Sequence, residues 1–240
     1  MKLLQRALGP ATLVTLLGTF IMGMWVTPKA TMLDGGGDLV RMLYVHPAVA
    51  WVALYVSFGT TTVASALYLW RRTRSVVMDR IAYCAMEVSA LFIFLTLVTG
   101  SIWGRPAWGV WWAWDARLTS TAILGVFVLG YLALRRANDD PEVRARRSAV
   151  FGILIALDIP IIHFAVVWWK TLHQSATVLN STGNVLVHGS MLWTLLLSFV
   201  AFTLLFVWLL RFRYRLEVMR ETSQQSRRDV AVAARQREGA

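Results

Sequence analysis

The chain has 240 residues, 57% of them hydrophobic and only 15% charged, with a formal net charge of +11. That apolar balance excludes an ordinary soluble domain and points to a membrane protein. In such a chain the positive charge sets orientation and meets anionic lipid, and it is not read as nucleic-acid binding.

A helix needs about 20 apolar residues to cross a bilayer. Six stretches qualify in chain order, at 7–26, 43–70, 81–102, 118–134, 148–168 and 187–210. They lack the two-residue alternation of a barrel strand and are too long for one. The first follows Lys2 and Arg6 but leads to no convincing cleavage site, so it is expected to stay as an anchor. The predicted fold class is an all-α integral membrane protein of six transmembrane helices, with a basic tail over 211–240 appended to a 1–210 transmembrane domain. The tail is expected to begin as a continuation of the last helix and then fray.

Charge orients these spans. With both termini in the cytoplasm, only Lys29, Arg41, Arg105, Arg117 and Lys170 of the 24 basic residues fall outside. The connections "RRTRSVVMDR" and "RRANDDPEVRARR" are then cytoplasmic, and neither carries a Gly-rich phosphate loop. Three segments face outward: 27–42 with "DGGGD", the tryptophan stretch after the third span, and 169–186. The single cysteine, Cys84, allows neither a disulfide framework nor a c-type haem attachment motif.

The outer segments carry the chemistry. His46 opens the second span, His173 follows the fifth and His188 opens the sixth, while His163 would lie about 15 Å below His173 if the helix ran on. Between the third and fourth spans, "WGRPAWGVWWAWDARLTS" sets Trp103, Trp108, Trp111, Trp112 and Trp114 beside Asp115 and Arg117. Gly104, Pro106 and Gly109 disfavour a regular helix, so a shaped outer loop is expected. The other tryptophans, Trp25, Trp51, Trp70, Trp168, Trp169, Trp193 and Trp208, are expected to form no more than an interfacial belt. The group at 103–114 suits a flat aromatic ligand by stacking. Arg105 and Arg117 would meet its carboxylates. Imidazole is a good ligand for iron, and no zinc spacing accompanies these histidines. A planar apolar disc with carboxylates and an iron wanting imidazoles is haem.

The tryptophan stretch, with "LVTGSIWG", "YVHPAVAW" and "PIIHFAVVWWKTLHQ", resembles the WWD signature of the haem-handling proteins of cytochrome c maturation, and within them the CcmC family. The resemblance covers about residues 43–175. It implies haem b held at the outer face of a bacterial plasma membrane, with His46 and His173 as axial ligands and Trp103, Trp108, Trp111, Trp112, Trp114, Asp115, Arg105 and Arg117 around it. It also implies delivery to a CcmE-like haem chaperone, together with a CcmD-like small membrane protein and CcmAB-like transporter components. This describes a binding and transfer protein rather than an enzyme. A membrane b-type cytochrome would want histidine pairs at two depths, and a permease a polar path, for which Glu87, Asp158 and His163 are the only hints. Glu87 is read as hydrogen-bonded near the cytoplasmic end of its span.

Overall fold

The computed structural model describes residues 2–29, 37–70, 74–173 and 187–238, with side chains from Arg6 to Arg237. The "DGG" of the first outer segment, Arg71 and Arg72 of the first basic connection, and 174–186 of the third outer segment lie outside the described residues.

Six helical spans cross the molecule, and the described residues contain no strand. The first is α1 (Lys2–Ile21), prolonged by a π-helical turn, Met22–Val26. The second is composite: a 3-10 helix (Gly37–Tyr44), α2 (His46–Trp51), a π-helical turn (Val52–Val56) and α3 (Ser57–Leu69). Pro47 sits in the first turn of α2, where its missing N–H has no helical partner to lose. The third and fourth spans are α4 (Val76–Trp108) and α5 (Ala116–Arg136).

The fifth span is broken into α6 (Pro141–Ile155) and α7 (Asp158–Trp168). Pro160 has no N–H to give the Ala156 carbonyl, and the chain bridges the break through Leu157 N–H to Leu154 O and Ile159 N–H to Ala156 O. Asp140 caps α6 by accepting from the N–H groups of Glu142 and Val143, at 2.8 and 3.0 Å. The sixth span belongs to α8 (Gly189–Glu238), one helix of 50 residues that runs on through the basic tail. The expected fraying gives way to continuous helix as far as Glu238.

The core lies between α3, α4, α5 and α8 and contains Phe58, Met86, Phe92, Leu124, Val128, Tyr131 and Phe206, each almost wholly buried. Large apolar side chains such as Leu13, Val14, Phe94, Val126 and Leu129 face outward. In a membrane protein hydrocarbon replaces water there, so the outward face carries no penalty.

Charges at the arginine-rich end tie the spans together. Arg135 of α5 donates to both carboxylate oxygens of Asp79 on α4, at 2.5 and 2.9 Å, and its guanidinium lies 4.5 Å from the centre of the Tyr83 ring. Glu87 accepts from Tyr83 at 2.9 Å and from Arg213 of α8 at 2.5 Å, so its acid is hydrogen-bonded as expected. Arg80 pairs with Glu221. At the opposite end the spans part around a cavity.

Candidate functional site

The cavity has a volume of about 360 Å³ and is walled by residues from five spans. That volume is within the range of ligand pockets, about 300–1,000 Å³. The second span contributes His46, Trp51 and Tyr55, and α4 contributes Gly100, Trp103 and Trp108. The wall closes with Trp112 and Arg117 after α4, His163 on α7, His173 beyond it, and Phe199 on α8. Side chains at 47, 50, 51, 54 and 55 share one face of the second span because they recur every three to four residues. The π-helical turn falls within this stretch, a placement common beside functional sites.

The tryptophan stretch is only partly a loop. Instead of leaving the helix near Gly104, α4 continues through Gly104 and Pro106 to Trp108. Gly104 is buried, and Trp103 and Trp108 pack edge-on to His46 and His173, with ring centres 5.8 and 4.7 Å apart. These contacts override the local preference against helix. The turn comes at Gly109, whose φ of 80° ends the helix in the left-handed region that glycine adopts without strain. Arg105 donates to the Gly109 carbonyl at 2.6 Å and does not reach the cavity wall. Trp111 and Trp114 also lie off the wall, 60% and 85% exposed.

Asp115 ties the start of α5 to the segment beyond α7. One carboxylate oxygen accepts from Leu118 N–H at 2.8 Å and caps α5. The other accepts from Leu172 N–H and from His173 Nδ1, both at 3.2 Å. A carboxylate only accepts, so His173 gives its Nδ1 hydrogen and Nε2 keeps a lone pair. Burial holds the His173 imidazole below its ordinary value, against the opposing pull of Asp115. The neutral ring is the form that bonds a metal.

His46 is prepared in the same way by another helix. Its Nδ1 lies 3.0 Å from the Thr99 hydroxyl, which donates its own hydrogen to the Leu95 carbonyl at 2.7 Å. The imidazole is therefore the donor, and Nε2 again keeps its lone pair. A Cβ on Gly100 would stand 3.1 Å from His46 Cε1, so any larger residue there would push the ring aside by a few tenths of an ångström. Neither Nε2 has a hydrogen-bond partner among the described residues.

Arg117 is on the same wall and donates to the Ile162 and His163 carbonyls at 3.3 and 3.0 Å. It forms no ion pair with a carboxylate among the described residues. α7 stops at Trp168, five residues or about 7.5 Å of helical rise after His163, so the helix does not run on to His173. His163 and His173 both line the cavity, and His188 does not border it. Thr99 and Gly100 fall within the quoted "LVTGSIWG", but nothing in the sequence points to their roles or to that of Tyr55. Each of the three is an ordinary residue within an apolar run, and only its neighbour across the bundle gives it a role. Trp51, read as part of an interfacial belt, stands instead on the cavity wall.

A family model described as CcmC, "Heme exporter protein C", matches residues 1–229. Among curated relatives, "Heme exporter protein C" of Bradyrhizobium diazoefficiens is 44% identical over 77% of this chain and 68% of its own length. The protein of the same name from Haemophilus influenzae is 38% identical over 78% of this chain and 75% of its own. A ccmC-like mitochondrial protein of cytochrome c biosynthesis from Marchantia polymorpha is 36% identical over 75% and 73%. With a family match over nearly its whole length and six apolar helical spans, the chain is a multi-pass membrane protein of the CcmC, or haem exporter protein C, family.

Proposed function

We propose that this protein binds haem b in the tryptophan-walled cavity at the outer face of a bacterial plasma membrane and delivers it to a CcmE-like periplasmic chaperone for c-type cytochrome maturation. The observation that carries this reading is the pair His46 and His173. Both imidazoles border one largely apolar cavity, both are held through Nδ1 by another element, and both leave Nε2 without a partner among the described residues.

The residues present fit haem. Two such nitrogens suit axial ligation of an iron, and the oxygen partners fix each ring and raise its basicity. Trp103, Trp108 and Trp112 supply apolar aromatic wall for a macrocycle. Arg117, free of a carboxylate partner among the described residues, suits a propionate. A haem held only by such contacts needs no cysteine motif, in keeping with a chain whose one cysteine is buried elsewhere.

Trp111, Trp114 and Arg105 complete the proposed haem-binding set as an exposed rim of indole and guanidinium. Such a rim suits a handover in which one haem edge stays open to the chaperone, which captures it covalently through its own histidine. CcmD-like and CcmAB-like proteins are the expected companions. Residues 1–210 would form the haem-handling membrane unit and 211–240 a basic cytoplasmic extension.

The test is the visible spectrum and pyridine haemochrome of the purified full-length protein. The parent should carry low-spin, bis-imidazole haem. His46→Ala and His173→Ala should each shift the Soret band and retain at least about tenfold less haem, with partial recovery on adding imidazole. Parent-like spectra in both variants, with the loss appearing instead in His188→Ala, would transfer the ligand role elsewhere.

A further inference from the structure

Three histidines border the cavity, and the third repeats the arrangement of the other two. His163 Nδ1 lies 2.5 Å from the Tyr55 hydroxyl. The partner again comes from a different span, the second, and His163 Nε2 has no partner among the described residues. The backbone of α7 packs chiefly on α5, so the cavity gap between α7 and the second span is crossed by this contact between side chains. Thus His46 is held by Thr99, His173 by Asp115 and His163 by Tyr55, each through Nδ1.

Depth separates the third from the pair. His46 lies nine residues before Tyr55 on the second span and His173 lies beyond the end of α7, whereas His163 meets Tyr55 and sits about 7.5 Å below the end of α7, within the span. Arg117 links the levels, since it borders the cavity and donates to the backbone carbonyl of His163 itself. An imidazole within a membrane span that faces a cavity and is oriented by a tyrosine marks a functional position more than a structural one.

We propose that His163, oriented by Tyr55, is a third iron-ligating residue of this cavity, a deeper station that holds haem before or between its engagements with His46 and His173. The proposal rests on the reading of the cavity as a haem site. It requires His163 Nδ1–H to donate to the Tyr55 oxygen, so that Nε2 offers its lone pair. Only ligand exchange at iron is involved: one nitrogen bonds as another leaves, with no change in electron count.

The test uses the full-length protein in detergent, titrated with ferric haemin and followed by the Soret band and by electron paramagnetic resonance. The variant H46A/H173A should still bind haemin, more weakly than the parent, with an imidazole-ligated signal. Adding His163→Ala to it should weaken binding by at least about tenfold and remove that signal. Adding Tyr55→Phe instead should weaken it and shift the Soret band, which a merely structural histidine would not cause. In the otherwise intact protein, His163→Ala should leave the final bis-imidazole spectrum unchanged but slow haemin uptake in stopped flow.

Equal affinity and spectra for the double and triple variants would overturn the station while leaving the bis-histidine reading standing. A parent that binds no haemin would sink that reading, and the station with it.

Discussion

Asp115 accepts three hydrogen bonds with one carboxylate, and the three can be separated by substitution. Asparagine is itself a good helix N-cap, so Asp115→Asn should keep α5 capped, but it gives up an acceptor that can serve Leu172 and His173 together. Its stability should change by less than about 1 kcal/mol, while haem retention should fall about 10- to 100-fold, as for other lost partners of a ligating histidine. Asp115→Ala should show the same haem loss and a further destabilisation of about 1 kcal/mol from the missing cap. Thermal unfolding beside haem content at equal protein level separates the two effects. Equal haem content in all three proteins would leave Asp115 a cap and nothing more. At this scale the sequence was readable wherever a residue type is chemically rare in an apolar chain. Of the residues singled out, His46, His173, Trp103, Trp108, Trp112 and Arg117 border one cavity, while Trp111, Trp114 and Arg105 do not. Thr99 and Tyr55 were not readable, because a hydroxyl in a span ordinarily bonds its own helix. Thr99 does so too, through Leu95, and gains its second role only from the neighbouring imidazole.

Among the elements, α4 carries the most. One helix of 33 residues holds Asp79 and Glu87 at one end and Gly100, Trp103 and Trp108 at the other. Its span was legible from hydropathy, but its end was not, since Gly104 and Pro106 read locally as breakers and only packing against the two histidines keeps the helix going. Pro160 is the contrary case, where the breaker does break the fifth span. At the opposite end of α4, Asp79 and Arg135 form a pair whose side chains are only 12% and 7% exposed. Asp79→Asn leaves Arg135 charged in an enclosed site, and a cost of about 3–5 kcal/mol is expected. Denaturation of the purified variant would measure it. The variant that still folds should bind haemin with the parent's spectrum, because no residue of the pair borders the cavity. A changed spectrum would mean that the two ends of α4 are coupled.

For the whole molecule, the decisive pattern is the separation of charge from aromatic surface. Arg135, Arg136, Arg144, Arg146 and Arg147 cluster at one end of the bundle, and the histidine cavity opens at the other. The positive-inside rule assigns the arginine end to the cytoplasm. Reporter fusions after Trp112 and after Gln174 should therefore read as external, and those at Asp139 and Gln225 as cytoplasmic. The reverse pattern would put the cavity on the side away from a periplasmic acceptor and remove the proposed handover. The number of spans follows from length and hydropathy alone. The convergence of five of them on one cavity does not, since periodicity along a span says which face is buried and not which neighbour buries it.

The ionic ties at the arginine end also have a consequence in time. Asp79–Arg135 and Glu87–Arg213 fasten α4 to α5 and to α8 at the arginine end. Around the cavity, α4 meets α2 and the segment beyond α7, and the second span meets α7, through single hydrogen bonds and ring edges. A bundle fastened in this way is expected to move like a pair of tongs. Hydrogen exchange should find the fastened end opening only with global unfolding and the cavity end opening more often, and equal protection at both ends would rule this motion out. The proposed exchange of a bulky planar cargo would then need no unfolding of the bundle, only that motion.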